Sequence, residues 1–250
     1  MEKILEVKDL KKTFYKNQIS FAAVNEVSFH MLRGECLGLV GESGCGKSTV
    51  ARMITGLLEP EEGSVLLAGE DILHFRKRQR DLYTKIQMIF QTPQESFDPR
   101  CTLGDGIMES MINQGMKKRQ AKERMFELLE MTGLDREYGS RYPHEVSGGQ
   151  CQRAAIARAL AVNPQLLVCD EATSALDVTV QAQIIELLKN LREERTLSLL
   201  LICHDLALVQ DFCDRVLVMY QGQIIEEGTP NEVIRNPKEE YTKRLIDSVL

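Results

Sequence analysis

Short apolar runs and longer stretches of mixed character alternate along this chain. Cys36 to Val40, Ile86 to Phe90, Leu166 to Cys169 and Leu199 to Cys203 are short and almost wholly apolar, as strands covered on both faces should be. Ile4 to Val7, Val27 to Phe29, Ser64 to Leu67, and the pair Val216 to Met219 with Gln223 to Glu226 alternate more and lie close to turns. Gln221-Gly222 predicts a hairpin between the last two, and together these segments predict an antiparallel subdomain beside the apolar strands. From about 102 to 162 helix formers take over, and within Lys117 to Met131 the residues Ala121, Met125, Leu128 and Leu129 recur at helical spacing. That stripe reads as the core face of a helical insertion. Strands separated by helical stretches predict an α/β fold with a mostly parallel sheet. Pro60 to Gly63 and Pro230 to Pro237 read as connections within one unit, so residues 1–250 are expected to form a single domain.

Composition narrows the class. Of 250 residues, 43% are hydrophobic and 27% charged, ordinary globular usage that excludes a disordered chain or a fibre. The longest apolar runs, such as Leu197 to Cys203, fall far short of the roughly 20 residues of a membrane-crossing helix. Charged residues are spread through Met1 to Lys12 where a secretory segment would be apolar, so a cytoplasmic location is expected. Lys and Arg total 31 against 37 Asp and Glu, a net charge of -6, which argues against a nucleic-acid partner. The one basic run, Arg76 to Arg80, is flanked by Asp71 and Asp81 and lacks interleaved aromatics, so it reads as a solvated helix face. The seven cysteines form no C-x-x-C pair, and reduced thiols are expected rather than a metal centre or disulfides.

Against that background three motifs carry chemistry. Gly41-Glu42-Ser43-Gly44-Cys45-Gly46-Lys47-Ser48-Thr49 fits G-x-x-x-x-G-K-[ST] between an apolar run and a helical stretch. Glycines there let the backbone turn its N–H groups toward phosphate oxygens, and the following helix adds its positive end. Lys47 is expected on the β- and γ-phosphates and the Ser48 hydroxyl on magnesium. At the end of another apolar run, Asp170 supplies the metal's carboxylate. Glu171 follows it and either polarises a water aimed at the γ-phosphate or caps the segment that starts at Ala172. The third motif is Ser147-Gly148-Gly149-Gln150, at the head of an alanine-rich helix, which reads as a second anion-binding turn.

In this order the motifs resemble the ATP-binding cassette (ABC) ATPases, whose signature is S-G-G-Q, and the resemblance runs over nearly the whole chain. It implies a P-loop NTPase core with an antiparallel β subdomain and an inserted helical subdomain. It also implies ATP and Mg2+ as ligands, and a second ATPase subunit, identical or sister, paired head to tail so that each ATP lies between one P-loop and the partner's signature. Gln91 resembles the Q-loop glutamine, which contacts magnesium and water and couples to the permease. Ser174-Ala175-Leu176-Asp177 resembles the D-loop, His204 the switch histidine at the γ-phosphate, and Phe14 the aromatic that stacks on adenine, although with Tyr15 beside it a core role is the plainer reading.

Gly41 to Thr49, Phe90 to Arg100 and Ser174 to Gln183 are similar to the oligopeptide, dipeptide and nickel importer branch. The implied function is ATP hydrolysis at the cytoplasmic face of the membrane, driving import through separate transmembrane permease subunits that a solute-binding protein feeds. A soluble ABC-type ATPase and an exporter subunit are the alternatives. A P-loop GTPase is disfavoured because no N-K-x-D segment occurs.

Overall fold

A computed structural model describes residues 2–16, 19–72, 79–172 and 176–247. The chain opens with an antiparallel hairpin of two 14-residue strands, β1 (Lys3–Lys16) and β2 (Ile19–Leu32). Both are longer than the alternation predicts, because register shifts between Lys3 and Leu5, Val7 and Lys12, and Lys12 and Thr13 interrupt the period of two. Asp9 and Glu26, with φ of +48° and +56°, lie in this irregular stretch. β4 (Glu62–Leu67) pairs with β1, and β5 (Glu70–Asp71) with β4, giving a sheet of order β2-β1-β4-β5.

The second sheet is built from the apolar runs. β3 (Cys36–Val40), β6 (Ile86–Ile89), β7 (Leu166–Asp170) and β8 (Ser198–Cys203) are parallel, and β9 (Arg215–Tyr220) and β10 (Gln223–Gly228) complete the order β10-β9-β3-β8-β7-β6. Its side chains divide by the strand period of two. Leu37, Leu39, Val168, Leu200 and Ile202 join one core with Leu5, Val7 and Val65 of the antiparallel sheet, and α1 (Lys47–Ile54) lies in that core through Val50, Ala51, Met53 and Ile54. Cys36, Val40, Leu167, Cys169, Leu199, Leu201 and Cys203 join the opposite core.

That opposite core is covered by helices. α3 (Leu103–Asn113), α4 (Lys118–Met131) and α5 (Gly148–Leu160) make up the helical region, and Ala121, Met125, Leu128 and Leu129 of α4 are buried in it, as the spacing predicts. α6 (Val178–Arg195) and α7 (Leu206–Phe212) continue the layer. α2 (Gln79–Lys85) precedes β6, and α8 (Pro230–Arg235) and α9 (Glu240–Asp247) follow β10.

One expectation is corrected. The hairpin over Val216 to Glu226 belongs to the parallel core sheet, because β9 pairs in parallel with β3 and, among the described residues, β10 pairs only with β9. The physical reason is that Val216 and Val218 face one core while Leu217 and Met219 face the other, so β9 is a strand buried on both sides. Its turn still touches the first sheet, where the Asn25 N–H donates to the Gly222 carbonyl at 2.8 Å. All seven cysteines are free, and six are buried. Ser174 and Ala175 of the D-loop motif, and Arg76, Lys77 and Arg78 of the basic run, lie outside the described residues.

Candidate functional site

The loop from Gly41 to Gly46 connects the end of β3 to the start of α1 and is pressed against neighbouring backbone. Gly46 has φ +114°, and a Cβ there would lie 2.1 Å from the Ala23 carbonyl oxygen. At Gly41, φ +153°, it would lie 2.2 Å from the Met219 carbonyl oxygen. Only glycine fits such positions. Lys47, just 4% exposed, turns its ammonium back into the loop and donates to the carbonyls of Gly41 at 2.7 Å and Glu42 at 2.8 Å. A buried cation thus sits beside a turn of backbone N–H groups at a helix start, the electrostatic setting for a phosphate.

Across the loop stands the end of β7. The Ser48 hydroxyl donates to Asp170 Oδ1 at 2.9 Å. Burial pushes the Asp170 carboxyl above the ordinary carboxylate range, opposed by the Ser48 hydrogen bond and reinforced by the charge of Glu171. Glu171 itself is left-handed, φ +48°, with its N–H held by the Ile202 carbonyl at 2.9 Å. A non-glycine residue in that conformation at a strand end is a feature that functional sites retain. Its carboxylate accepts from Gln91 Nε2 at 2.7 Å. Asp177, not Glu171, caps the helix that follows, accepting from the Val180 N–H at 3.0 Å.

Asp170 stands behind Ser48, which donates to it, while Lys47, Ser48, Gln91 and Glu171 line one cleft of about 300 Å³. Ser43, Gly44 and Gly46 to Thr49 form its floor, with Gln91 and Glu171 on one wall and Phe14, Phe21 and Ala23 on another. Phe14 and Phe21 are register partners across the hairpin, with ring centroids 6.4 Å apart and both rings partly exposed. Phe21 escapes sequence reasoning because nothing in its local pattern marks it, although pairing the hairpin from its turn places it opposite Phe14. Gly41, Glu42 and Cys45 shape the loop from behind and do not line the cleft. Ser48 and Asp170, with Gln91 beside Glu171, form an oxygen donor set that suits magnesium, which takes one or two carboxylates and completes its shell with phosphate and water.

The remaining expected residues stand apart from this cleft. Ser147 caps α5 in a reciprocal box with Gln150, accepting from the Gln150 N–H at 3.3 Å while Gln150 Oε1 accepts from the Ser147 N–H at 2.9 Å. Gly148 and Gly149 form the first turn, and a Cβ on Gly149 would meet Val180 at 2.6 Å. His204 is exposed just past β8, two residues beyond Ile202, which holds the Glu171 N–H. Ser147 to Gln150, Asp177 and His204 are not among the residues lining the cleft.

Residues 24–174 match the family described as ABC transporter. The chain belongs to the ABC transporter family. It is 47% identical over 253 residues to the oligopeptide transport ATP-binding protein OppF of Bacillus subtilis, covering 99% of this chain and 83% of that protein. With the OppF protein of Escherichia coli it shares 46% over 247 residues, covering 98% and 74%. Among solved structures it resembles the dimeric post-hydrolysis state of the ATP-binding cassette MJ0796 bound to ADP and Pi, at 29% identity and a TM-score of 0.83, covering 90% of this chain and 98% of that one. As a member of this family the chain is an ATP-binding, ATP-hydrolysing cassette with the α/β P-loop fold. The family match ends within the D-loop motif, so the ABC cassette's β8 to α9, with His204 and the C-terminal helices, lie beyond it.

Proposed function

We propose that this cassette binds Mg·ATP in the cleft between its phosphate-binding loop and the end of β7 and hydrolyses it to power a membrane importer of peptides. The observation that carries the site assignment is the convergence of Lys47, Ser48, Asp170, Gln91 and Glu171 from three separate strand ends. The backbone N–H groups of Gly44 and of Gly46 to Thr49 and the Lys47 ammonium receive the β- and γ-phosphates. Ser48 and Asp170, helped by Gln91, would hold magnesium, which would supply charge neutralisation at the phosphate oxygens. Phe14, with Phe21 beside it, offers an aromatic face to the adenine. Glu171, oriented by Gln91, takes a proton from water as the water oxygen bonds to the γ-phosphorus and the bond to the β-phosphate oxygen breaks.

Ser147 to Gln150 and Asp177 serve a second cassette, identical or sister, by facing its nucleotide. His204 is assigned to the γ-phosphate in the closed pair. The permease meets a groove of about 320 Å³ lined in part by Leu57, Tyr83, Met88, Phe90, Glu109 and Arg158. Phe90 lies in this groove and Gln91, the next residue, lies in the nucleotide cleft, so a permease segment seated there acts on the glutamine through one peptide unit. The OppF relatives support oligopeptides as the solute, which meets the permease and its binding protein rather than this chain. The cassette is assigned to the cytoplasmic face of the membrane; among the described residues no helix is long and apolar enough to cross it.

Magnesium-dependent ATP hydrolysis by the purified chain across a concentration series tests this reading. Turnover per chain rises with concentration and is lost in Glu171→Gln, which still binds ATP. Full turnover in that variant would overturn the assignment of the base.

A further inference from the structure

The phosphate-binding loop is held from behind by the far end of the chain. The Glu42 N–H, which does not face the cleft, donates to the Tyr241 hydroxyl on α9 at 3.0 Å. Tyr241 is 6% exposed, and its ring lies 4.1 Å, centroid to centroid, from that of Tyr220 at the end of β9. The approach to α9 is fixed as well, since the buried Glu226 on β10 accepts from the N–H groups of Lys238 at 2.9 Å and Glu239 at 3.2 Å. Beyond Tyr241, Leu245 packs into the same core as Val233 and Ile234 of α8.

A loop that turns successive N–H groups toward a phosphate must leave others facing the protein, and each needs an acceptor. The carbonyls of Gly41 and Glu42 already serve Lys47, and that of Cys45 accepts from the Gly222 N–H at 3.0 Å. For the Glu42 N–H the acceptor is a hydroxyl anchored by a helix about 200 residues away in sequence, with a separation of 199. We infer that Tyr241 is a positioning residue of the nucleotide site, fastening the back of the phosphate-binding loop so that its front is preorganised for ATP. This rests on the reading of the cleft as the ATP site.

Tyr241→Phe removes the acceptor and keeps the ring against Tyr220. One neutral hydrogen bond shifts an equilibrium by about two- to tenfold. Affinity for a fluorescent ATP analogue should fall by about that factor and KM for ATP rise with it, while kcat at saturating ATP stays within about twofold. In the nucleotide-free chain, hydrogen exchange at the Glu42 amide should speed up by a similar factor. Tyr241→Leu should repeat both effects and also lower the melting temperature. A Tyr241→Phe variant with unchanged KM and unchanged Glu42 exchange overturns the inference, whatever its melting temperature, because a purely structural role predicts that pattern. Wild-type chain that fails to bind the analogue overturns the ATP reading instead, and Glu42 exchange still decides whether the loop is fastened.

Discussion

The two glycine-containing turns of this chain, 41–46 and 147–149, both precede helices and both read as anion-binding, yet the fold treats them differently. The first is braced by the Ala23 and Met219 carbonyls, by its own lysine and by Tyr241, and its open side gives onto a cleft with Asp170, Gln91 and Glu171 nearby. The second is a neatly capped helix start whose serine and glutamine satisfy each other and whose Gln150 Nε2 reaches the Tyr138 hydroxyl at 2.7 Å. It lines no part of that cleft. One turn borders that cleft, and the other lies outside it. Under the proposed function the two halves become one site only between chains, and the cassette MJ0796, to which this fold is similar, is dimeric.

That contrast is easiest to break at the first turn. Glu171→Gln should lower kcat by about 10²- to 10⁴-fold while leaving ATP affinity near wild type, measured by phosphate release and analogue binding. Lys47→Ala should act on the other quantity, weakening ATP binding by about tenfold or more through loss of charge-assisted contacts to phosphate, read by titration. At the second turn, Ser147→Ala should leave ATP binding by the single chain unchanged and cost about 1 kcal/mol of stability in a urea titration, the usual loss of a helix cap. Equal loss of ATP binding in Lys47→Ala and Ser147→Ala would erase the distinction between the turns.

The smallest effect concerns pH. Because burial raises the Asp170 pKa above its unfolded value, the unfolded chain gives up its proton first as pH rises. The residue therefore favours the folded state least above its raised pKa, and the loss accrues from the ordinary carboxylate range upward. Asp170→Asn should raise the melting temperature of the nucleotide-free chain by roughly a few degrees at pH 7, with the gain shrinking toward about pH 3, while impairing magnesium-dependent turnover.

Where the sequence was readable, the reason is physical. Strands buried on both faces must be apolar, so β3, β6, β7 and β8 announced themselves, and the polar residues at their ends, Asp170, Glu171 and Gln91, stood out against that background. Lys47 and Ser48 were fixed by a motif whose spacing the loop geometry demands. The alternation shows β1 and β2 only in part because their bulges break it, and it does not place β9 in the parallel sheet because two-sided burial is a tertiary fact. Phe21 and Tyr241 carry no such signal, for a related reason. Each reaches the loop region through strand pairing or helix docking, which leaves no trace in local spacing.

The claim that one site is shared between two chains is tested most directly by mixing. Lys47→Ala carries a spoiled loop with an intact signature, and Ser147→Arg carries the reverse. Magnesium-dependent ATP hydrolysis should be absent from each variant alone and return in the equimolar mixture, where a sound loop meets a sound signature. Ser147→Arg hydrolysing ATP at the wild-type rate on its own, or a mixture as inert as its components beside an active wild type, would contradict the account.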